Sequence, residues 1–228
     1  MATHQFQTEV SELLKLIIHS LYSNKDIFVR EIVSNASDAL DKLKYLTVSD
    51  ENYKSVSFEP RIDILFDEKA KTLTIQDSGI GMNAEDLDNN LGTIARSGTK
   101  AFLEKLETEA KKDSSLIGQF GVGFYSAFMA AKKIDVITRK AGEKVLYKWS
   151  SEGTSSYDVD ELSLDSAEAK TYGFDSEDKH GSAIVMYLND EDAEYASRWK
   201  LEELIKRYSD HTAFPIYLHY EQKSYEFF

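Results

Sequence analysis

Residues 62–82, IDILFDEKAKTLTIQDSGIGM, decide how this chain folds. Ile62, Ile64 and Phe66 alternate with polar residues, and Leu73 and Ile75 do the same, so two strands are predicted. Asp67-Glu68-Lys69-Ala70-Lys71 between them reads as a hairpin connection, which makes the pair antiparallel. The second strand runs into Asp77-Ser78-Gly79-Ile80-Gly81. Asp and Gly are the usual residues of a tight turn, and that is the plain reading. A sharper reading is a strand-end carboxylate beside two glycines that let a planar ligand approach the backbone. An ionised Asp only accepts hydrogen bonds, so it could take the exocyclic amino group of adenine; guanine has a carbonyl at that position.

Upstream, Val10, Leu13, Leu14, Ile17 and Leu21 recur at helical spacing over about Thr8–Tyr22. A second helix is predicted from Ile27 to about Tyr45, with Asp26 as its cap. At 100° per residue, Phe28, Val29, Ile32, Val33, Ala36, Ala39, Leu40 and Leu43 share one broad face, while Glu31, Asn35 and Asp38 stack on the other. A solvated face explains such a stack. Asn in mid-helix nevertheless has a cost, because its side chain competes for backbone hydrogen bonds. A carboxylate one turn away suits general-base work on a water, and an amide oxygen suits a hard cation such as Mg²⁺.

Downstream, Asn83 is placed to cap a short helix. Residues 97–112 read as helical between glycine-containing segments. Gly118-Gln119-Phe120-Gly121-Val122-Gly123 then opens onto a helix from Phe124 to about Ala131, where backbone N–H groups can hold an anion. This is not a P-loop: Gly118 is followed five residues later by Gly123, Phe124 and Tyr125, with no Lys and no hydroxyl in the required place. Gly79-x-Gly81 also lacks the third glycine of a dinucleotide fingerprint, since position 84 is Ala. Strands are expected at 133–139, 144–150 and 154–158, with a turn at Ala141-Gly142. Residues 160–180 read as an acidic surface excursion. A strand over Ser182–Leu188, a helix over Arg198–His211 and an extended end from Phe214-Pro215-Ile216 complete the chain. Strands paired by short turns, with helices between them, imply one domain: a sheet with antiparallel pairs covered by helices.

Composition narrows the partners. The 228 residues carry 27 Lys and Arg against 40 Asp and Glu, a net charge of −13, which argues against a nucleic-acid binder. There are no cysteines, hence no disulfide, thiolate metal site or cysteine nucleophile, and the five His form no close pair. No apolar run approaches membrane-spanning length and the N-terminus lacks a secretory core, so a soluble intracellular protein is expected.

The three pieces in this order carry a resemblance. Glu31-x-x-x-Asn35-x-x-Asp38-Ala39, Asp77-Ser78-Gly79-Ile80-Gly81-Met82 and Gly118 to Phe124 resemble the split-site ATPases shared by gyrases, mismatch-repair proteins, sensor histidine kinases and heat-shock chaperones. The longer strings FVREIVSNASDALDKL, NLGTIARSGTKAFLEKL and GQFGVGFYSAFMA are similar to the ninety-kilodalton heat-shock chaperones in their bacterial form. The likeness runs from about His4 to the Phe214-Pro215-Ile216 segment. It implies a Bergerat-type ATP-binding fold, an α/β (α+β) two-layer sandwich with a mixed, largely antiparallel sheet covered on one face by helices.

Carried across residue by residue, the resemblance implies a site for ATP or ADP with Mg²⁺. Glu31 would be the general base orienting the attacking water. Asn35 would coordinate Mg²⁺, and Asp38 and Ala39 would also bind the nucleotide. Asp77 would bind the adenine amino group, with Gly81 and Met82 lining the base. Asn90 would contact ribose or phosphate. A lid over about 91–123 would bring Leu91, Arg96, Ser97 and Gly98 to the nucleotide, and Gln119, Phe120, Gly121, Val122, Gly123 and Phe124 would supply phosphate contacts. Ser182 stands where the family usually has Thr, keeping the hydroxyl and losing a methyl; Arg96 stands where many relatives have Lys.

The resemblance also implies that residues 1–228 form a single nucleotide-binding domain belonging to a longer cytoplasmic chaperone. That chaperone would be a homodimer acting on client proteins, with middle and C-terminal domains, the middle one supplying an arginine to the γ-phosphate. An arginine of that kind is worth on the order of 10³–10⁵ in rate, so slow hydrolysis is expected of the isolated domain. Two alternatives are a nucleotide-binding switch that hydrolyses nothing alone, and a topoisomerase or histidine kinase relative. No phosphoacceptor-His helix precedes the site, which counts against the kinase.

Overall fold

The computed structural model describes residues 24–92, 123–154, 156–208 and 212–220. Seven strands form one sheet: β1 (Ile62–Asp67), β2 (Thr72–Asp77), β3 (Ala131–Arg139), β4 (Leu146–Ser151), β5 (Asp158–Leu162), β6 (Gly181–Leu188) and β7 (Ile216–His219). Their order is β5-β4-β3-β6-β2-β1-β7. Every neighbouring pair is antiparallel except β1 with β7, which is parallel and makes the sheet mixed. The predicted hairpin is present, with Ile64 opposite Ile75 and Lys71 at φ +52° in its turn.

Strand alternation sorts the side chains into two cores. Ile62, Ile64, Leu73, Ile75, Ile134, Val136, Ile184, Met186 and Leu188 face the larger one. There they meet α1 (Ile27–Ser49), α4 (Arg198–Tyr208) and the 3₁₀-helix Phe124–Met129. On α1 the inward stripe is Phe28, Val29, Ile32, Val33, Ala36, Leu40 and Leu43, all buried. The alternate residues Ile137, Ala183 and Val185 pack on the opposite face against Ala169 and Phe174.

Several sequence readings need correction. Helix α1 runs to Ser49, about one turn beyond the expected end, and Asp26 does not cap it through its side chain. The Asp26 carboxylate instead accepts from the Tyr195 hydroxyl (2.8 Å) and pairs with Lys200 (2.9 Å). Burial pushes its pKa up, but the bonds from Lys200 and Tyr195 prevail and the carboxyl lies below its ordinary range. Strand β5 begins at Asp158, where the sequence reading had placed the end of that strand. Residues 160–180 are not merely a surface excursion. They contain α3 (Ala167–Thr171), capped by Ser166, and their acidic composition hides the buried anchors Ala169 and Phe174 that close the second core. The segment after Gly123 is a 3₁₀-helix rather than an α-helix and gives way to β3 at Ala131. Asn83 does cap α2 (Ala84–Asn90), through a capping box with Asp86. The expected helices over 8–22 and 97–112 lie outside the described residues.

Candidate functional site

Three central strands end side by side. In register, Asp77 of β2 stands opposite Ser182 of β6, and Ser182 opposite Thr138 of β3. Period-two alternation turns all three toward the helical layer, on the side of Ile75, Ile184 and Val136. Their side chains form a polar floor at the edge of an apolar core. The Thr138 hydroxyl lies 2.9 Å from the Gly181 carbonyl and 2.9 Å from Ser182 Oγ, and it accepts from the Met82 N–H at 2.9 Å.

Asp77 is 4 % exposed. Its Oδ1 accepts from the Gly79 N–H at 2.8 Å, and the Ser182 N–H also donates to the carboxylate. Burial outweighs both donors and pushes its pKa up from 3.8 to about 7. A carboxylate has about four acceptor positions, so capacity remains for a donor on a ligand.

Glycines bring the backbone to this floor at distances no side chain would permit. Gly81 has φ +63°, and a Cβ there would lie 2.0 Å from the Arg139 carbonyl oxygen. Gly181 has φ +117°, with the corresponding point 2.0 Å from the Asp77 carbonyl oxygen. A Cβ on Gly79 would meet the backbone and side chain of Ala39 at 2.6–2.8 Å. The loop therefore lies flat on α1, joined by the Ile80 N–H donating to the Ala39 carbonyl at 3.1 Å.

The polar face of α1 is not a solvated face. Asp38 is 5 % exposed, and Glu31, Asn35 and Ala39 are half-buried. Glu31 Oε1 accepts from Arg30 at 2.7 Å. Its Oε2 lies 2.5 Å from where a Cβ on Gly123 would stand, so Gly123 leaves room for that carboxylate. The two glycine segments thus abut the same helix about two turns apart, Gly123 at Glu31 on its polar face and Gly79 at Ala39 on the edge of its apolar one. Eight residues separate these points, a rise of about 12 Å, with Asn35 midway.

Asn90 ends α2, and the carbonyl of the next residue, Leu91, accepts from the buried Tyr125 hydroxyl at 2.8 Å. Phe124 packs edge-on against Tyr125 and Trp149. Arg96, Ser97, Gly98, Gln119, Phe120, Gly121 and Val122, with most of the expected lid, lie outside the described residues. Among the described residues no group of three or more His, Cys, Asp or Glu could hold a metal ion. No helix among them is long and apolar enough to cross a membrane.

Sequence reasoning missed Thr138. Its signal was a polar residue at the end of an apolar strand, on the same side as Ile134 and Val136, but only the register with Ser182 shows that it belongs to the site.

The raised pKa gives a testable sign. The folded value lies above the ordinary one, so the fold favours the neutral acid; stability from this group is full below 3.8 and is lost as pH rises to about 7. The ionised form, which only accepts, holds an amino donor more strongly than the neutral acid. Affinity for adenosine, which has no phosphate to titrate, is expected to rise by up to about tenfold between pH 6 and pH 8. Calorimetric titrations across that range check it, with Asp77→Asn expected to give a flat profile.

Residues 22–181 match the family model described as histidine kinase-, DNA gyrase B-, and HSP90-like ATPase. The chain is 64 % identical over 226 residues to the chaperone protein HtpG of Treponema denticola and 60 % identical over 226 residues to that of Treponema pallidum. It is 59 % identical over 223 residues to that of Wolinella succinogenes. These alignments cover 98–99 % of this chain and 34–35 % of the relatives, so the chain spans about a third of their length. The mixed sheet layered with helices and the match over residues 22–181 together place the chain in the family of histidine kinase-, DNA gyrase B- and HSP90-like ATPases.

Proposed function

We propose that this chain is the ATP-binding, slowly hydrolysing domain of a cytoplasmic molecular chaperone. The carrying observation is the stretch of α1 from Glu31 to Ala39, which meets Gly79 beside Asp77 at one end and Gly123 beside Glu31 at the other. A nucleotide laid along that stretch has its base at a buried acceptor and its terminal phosphate near a carboxylate.

The residues divide the work by chemistry. Asp77 accepts from the adenine amino group, while Gly81 and Met82 lie beneath the base and Thr138 and Ser182 hold the floor. Asn35 offers an amide oxygen to Mg²⁺, which when bound neutralises phosphate charge. Asp38 and Ala39 continue that stretch, and Asn90 and Leu91 approach from the end of α2. The backbone from Gln119 to Phe124 is assigned to the phosphates, together with Arg96, Ser97 and Gly98. Glu31 Oε2 orients the water that attacks the γ-phosphate and takes its proton, while the bond from the γ-phosphorus to the bridging oxygen breaks and ADP leaves with that electron pair. Gly123 keeps the space that this carboxylate occupies.

The identities with HtpG chaperones support the chaperone reading over a topoisomerase or histidine kinase. Middle and C-terminal domains, a homodimer contact and the binding of client proteins are assigned to the part of such relatives that this chain does not match. The nucleotide is tested by base. GTP presents a carbonyl where ATP presents an amino group, setting an acceptor against the Asp77 carboxylate. Calorimetry is expected to show ATP binding at least about 100-fold more tightly than GTP, and equal affinities overturn the base assignment.

A further inference from the structure

His180 immediately precedes the Gly181-Ser182 step. Its Nδ1 lies 2.8 Å from the carbonyl oxygen of Gly79, and its Nε2 lies 2.8 Å from the carbonyl oxygen of Ser57. The ring thus ties the end of the Asp77 loop to the segment before β1, although 101 residues separate His180 from Gly79. Both partners can only accept. The doubly protonated ring donates to both, and either neutral tautomer to one.

We propose that His180 is a positioning residue of the adenine subsite, an inference that rests on the reading of Asp77 as the adenine acceptor. Gly79 is the link. Its N–H donates to Asp77 Oδ1, its carbonyl accepts from His180, and its Cα lies flat on Ala39. The Gly79 carbonyl lies in the Gly79–Ile80 peptide plane, whose N–H donates to the Ala39 carbonyl; with that plane and the Cα both held, little freedom is left to the preceding plane, whose N–H aims the Asp77 carboxylate. The segment carrying His180 is itself held from the other side of the sheet. Arg139, fully buried, donates to the carbonyls of Ser176 and Lys179. The imidazole is therefore presented from a secured backbone. His180 touches neither Glu31 nor Gly123, so its effect falls on base binding and not on the hydrolytic step.

Calorimetric titration of adenosine and ATP into wild type, His180→Ala and Asp77→Asn tests this, with steady-state ATP hydrolysis measured alongside. In His180→Ala both ligands are expected to bind about tenfold more weakly at unchanged stoichiometry, the size of about one lost hydrogen bond. Its kcat should stay within about twofold of wild type while KM rises with Kd. A purely structural role would instead reduce the binding-competent fraction and kcat together, leaving Kd unchanged; that result overturns the inference. Wild-type adenosine affinity in His180→Ala, with weakening in Asp77→Asn, overturns the role of His180 and leaves the adenine assignment intact. Indifference of adenosine to Asp77→Asn overturns both. If His180→Ala fails to fold, His180→Gln, which retains a donor on one side, undergoes the same measurements, with a smaller rise in Kd expected and wild-type Kd overturning the proposal.

Discussion

Glu31→Ala is expected to lower single-turnover ATP hydrolysis by about 10²–10⁴-fold, the usual worth of a positioned general base, while ATP affinity stays within about threefold. The separation follows from where Glu31 sits. It lies about 12 Å along α1 from the Gly79 contact that marks the base end. Its Oε2 lies beside Gly123, and Arg30 holds Oε1. Nothing at the adenine floor touches it, so truncation leaves the base contacts in place and removes only the group that orients water. Mixing enzyme in excess over ATP, quenching with acid and counting ADP formed measures the chemical step without product dissociation. Hydrolysis that persists at the wild-type rate in Glu31→Ala would mean that another group does this work.

Asp77→Asn acts at the opposite end and on binding. The carboxylate already accepts from the Gly79 and Ser182 N–H groups, and the ligand's amino group needs a further acceptor. An amide has a single oxygen, and its nitrogen, turned toward adenine, sets donor against donor. Losing a hydrogen bond to a charged acceptor and leaving a buried donor unpaired costs about 2–4 kcal/mol, roughly 30- to 1000-fold in affinity. The fold should tolerate the change, because the substitution is nearly isosteric and removes a carboxyl whose ionised form burial disfavours.

Much of this was legible in the sequence because local patterns carry it. The hairpin from Ile62 to Asp77 follows from alternation, the Asn83 cap from residue type and spacing, and the Glu31-Asn35-Asp38 stack from helical geometry. The parallel pairing of β7 on β1 and the second core under Ala169 and Phe174 were not legible, because both depend on register between distant segments. Thr138 and His180 escaped for the same reason. Thr138 gains meaning only when β6 lays Ser182 beside it, and His180 only when that same strand returns it to Gly79. Asp26 misled because an acidic residue before a helix usually caps it, whereas here Tyr195 and Lys200 of the packed helical layer claim the carboxylate. Glycines were the most informative single residues. Gly79, Gly81, Gly123 and Gly181 each stand where a Cβ would strike a neighbour that forms the site.

The most direct test of adenine recognition by Asp77 is a calorimetric titration of ATP into wild type and Asp77→Asn at pH 8, above the value of about 7 at which the carboxyl ionises. The expected result is a loss of about 100-fold in affinity for a variant that melts as cooperatively as wild type. Equal affinity in the two proteins would contradict the assignment of the base to Asp77.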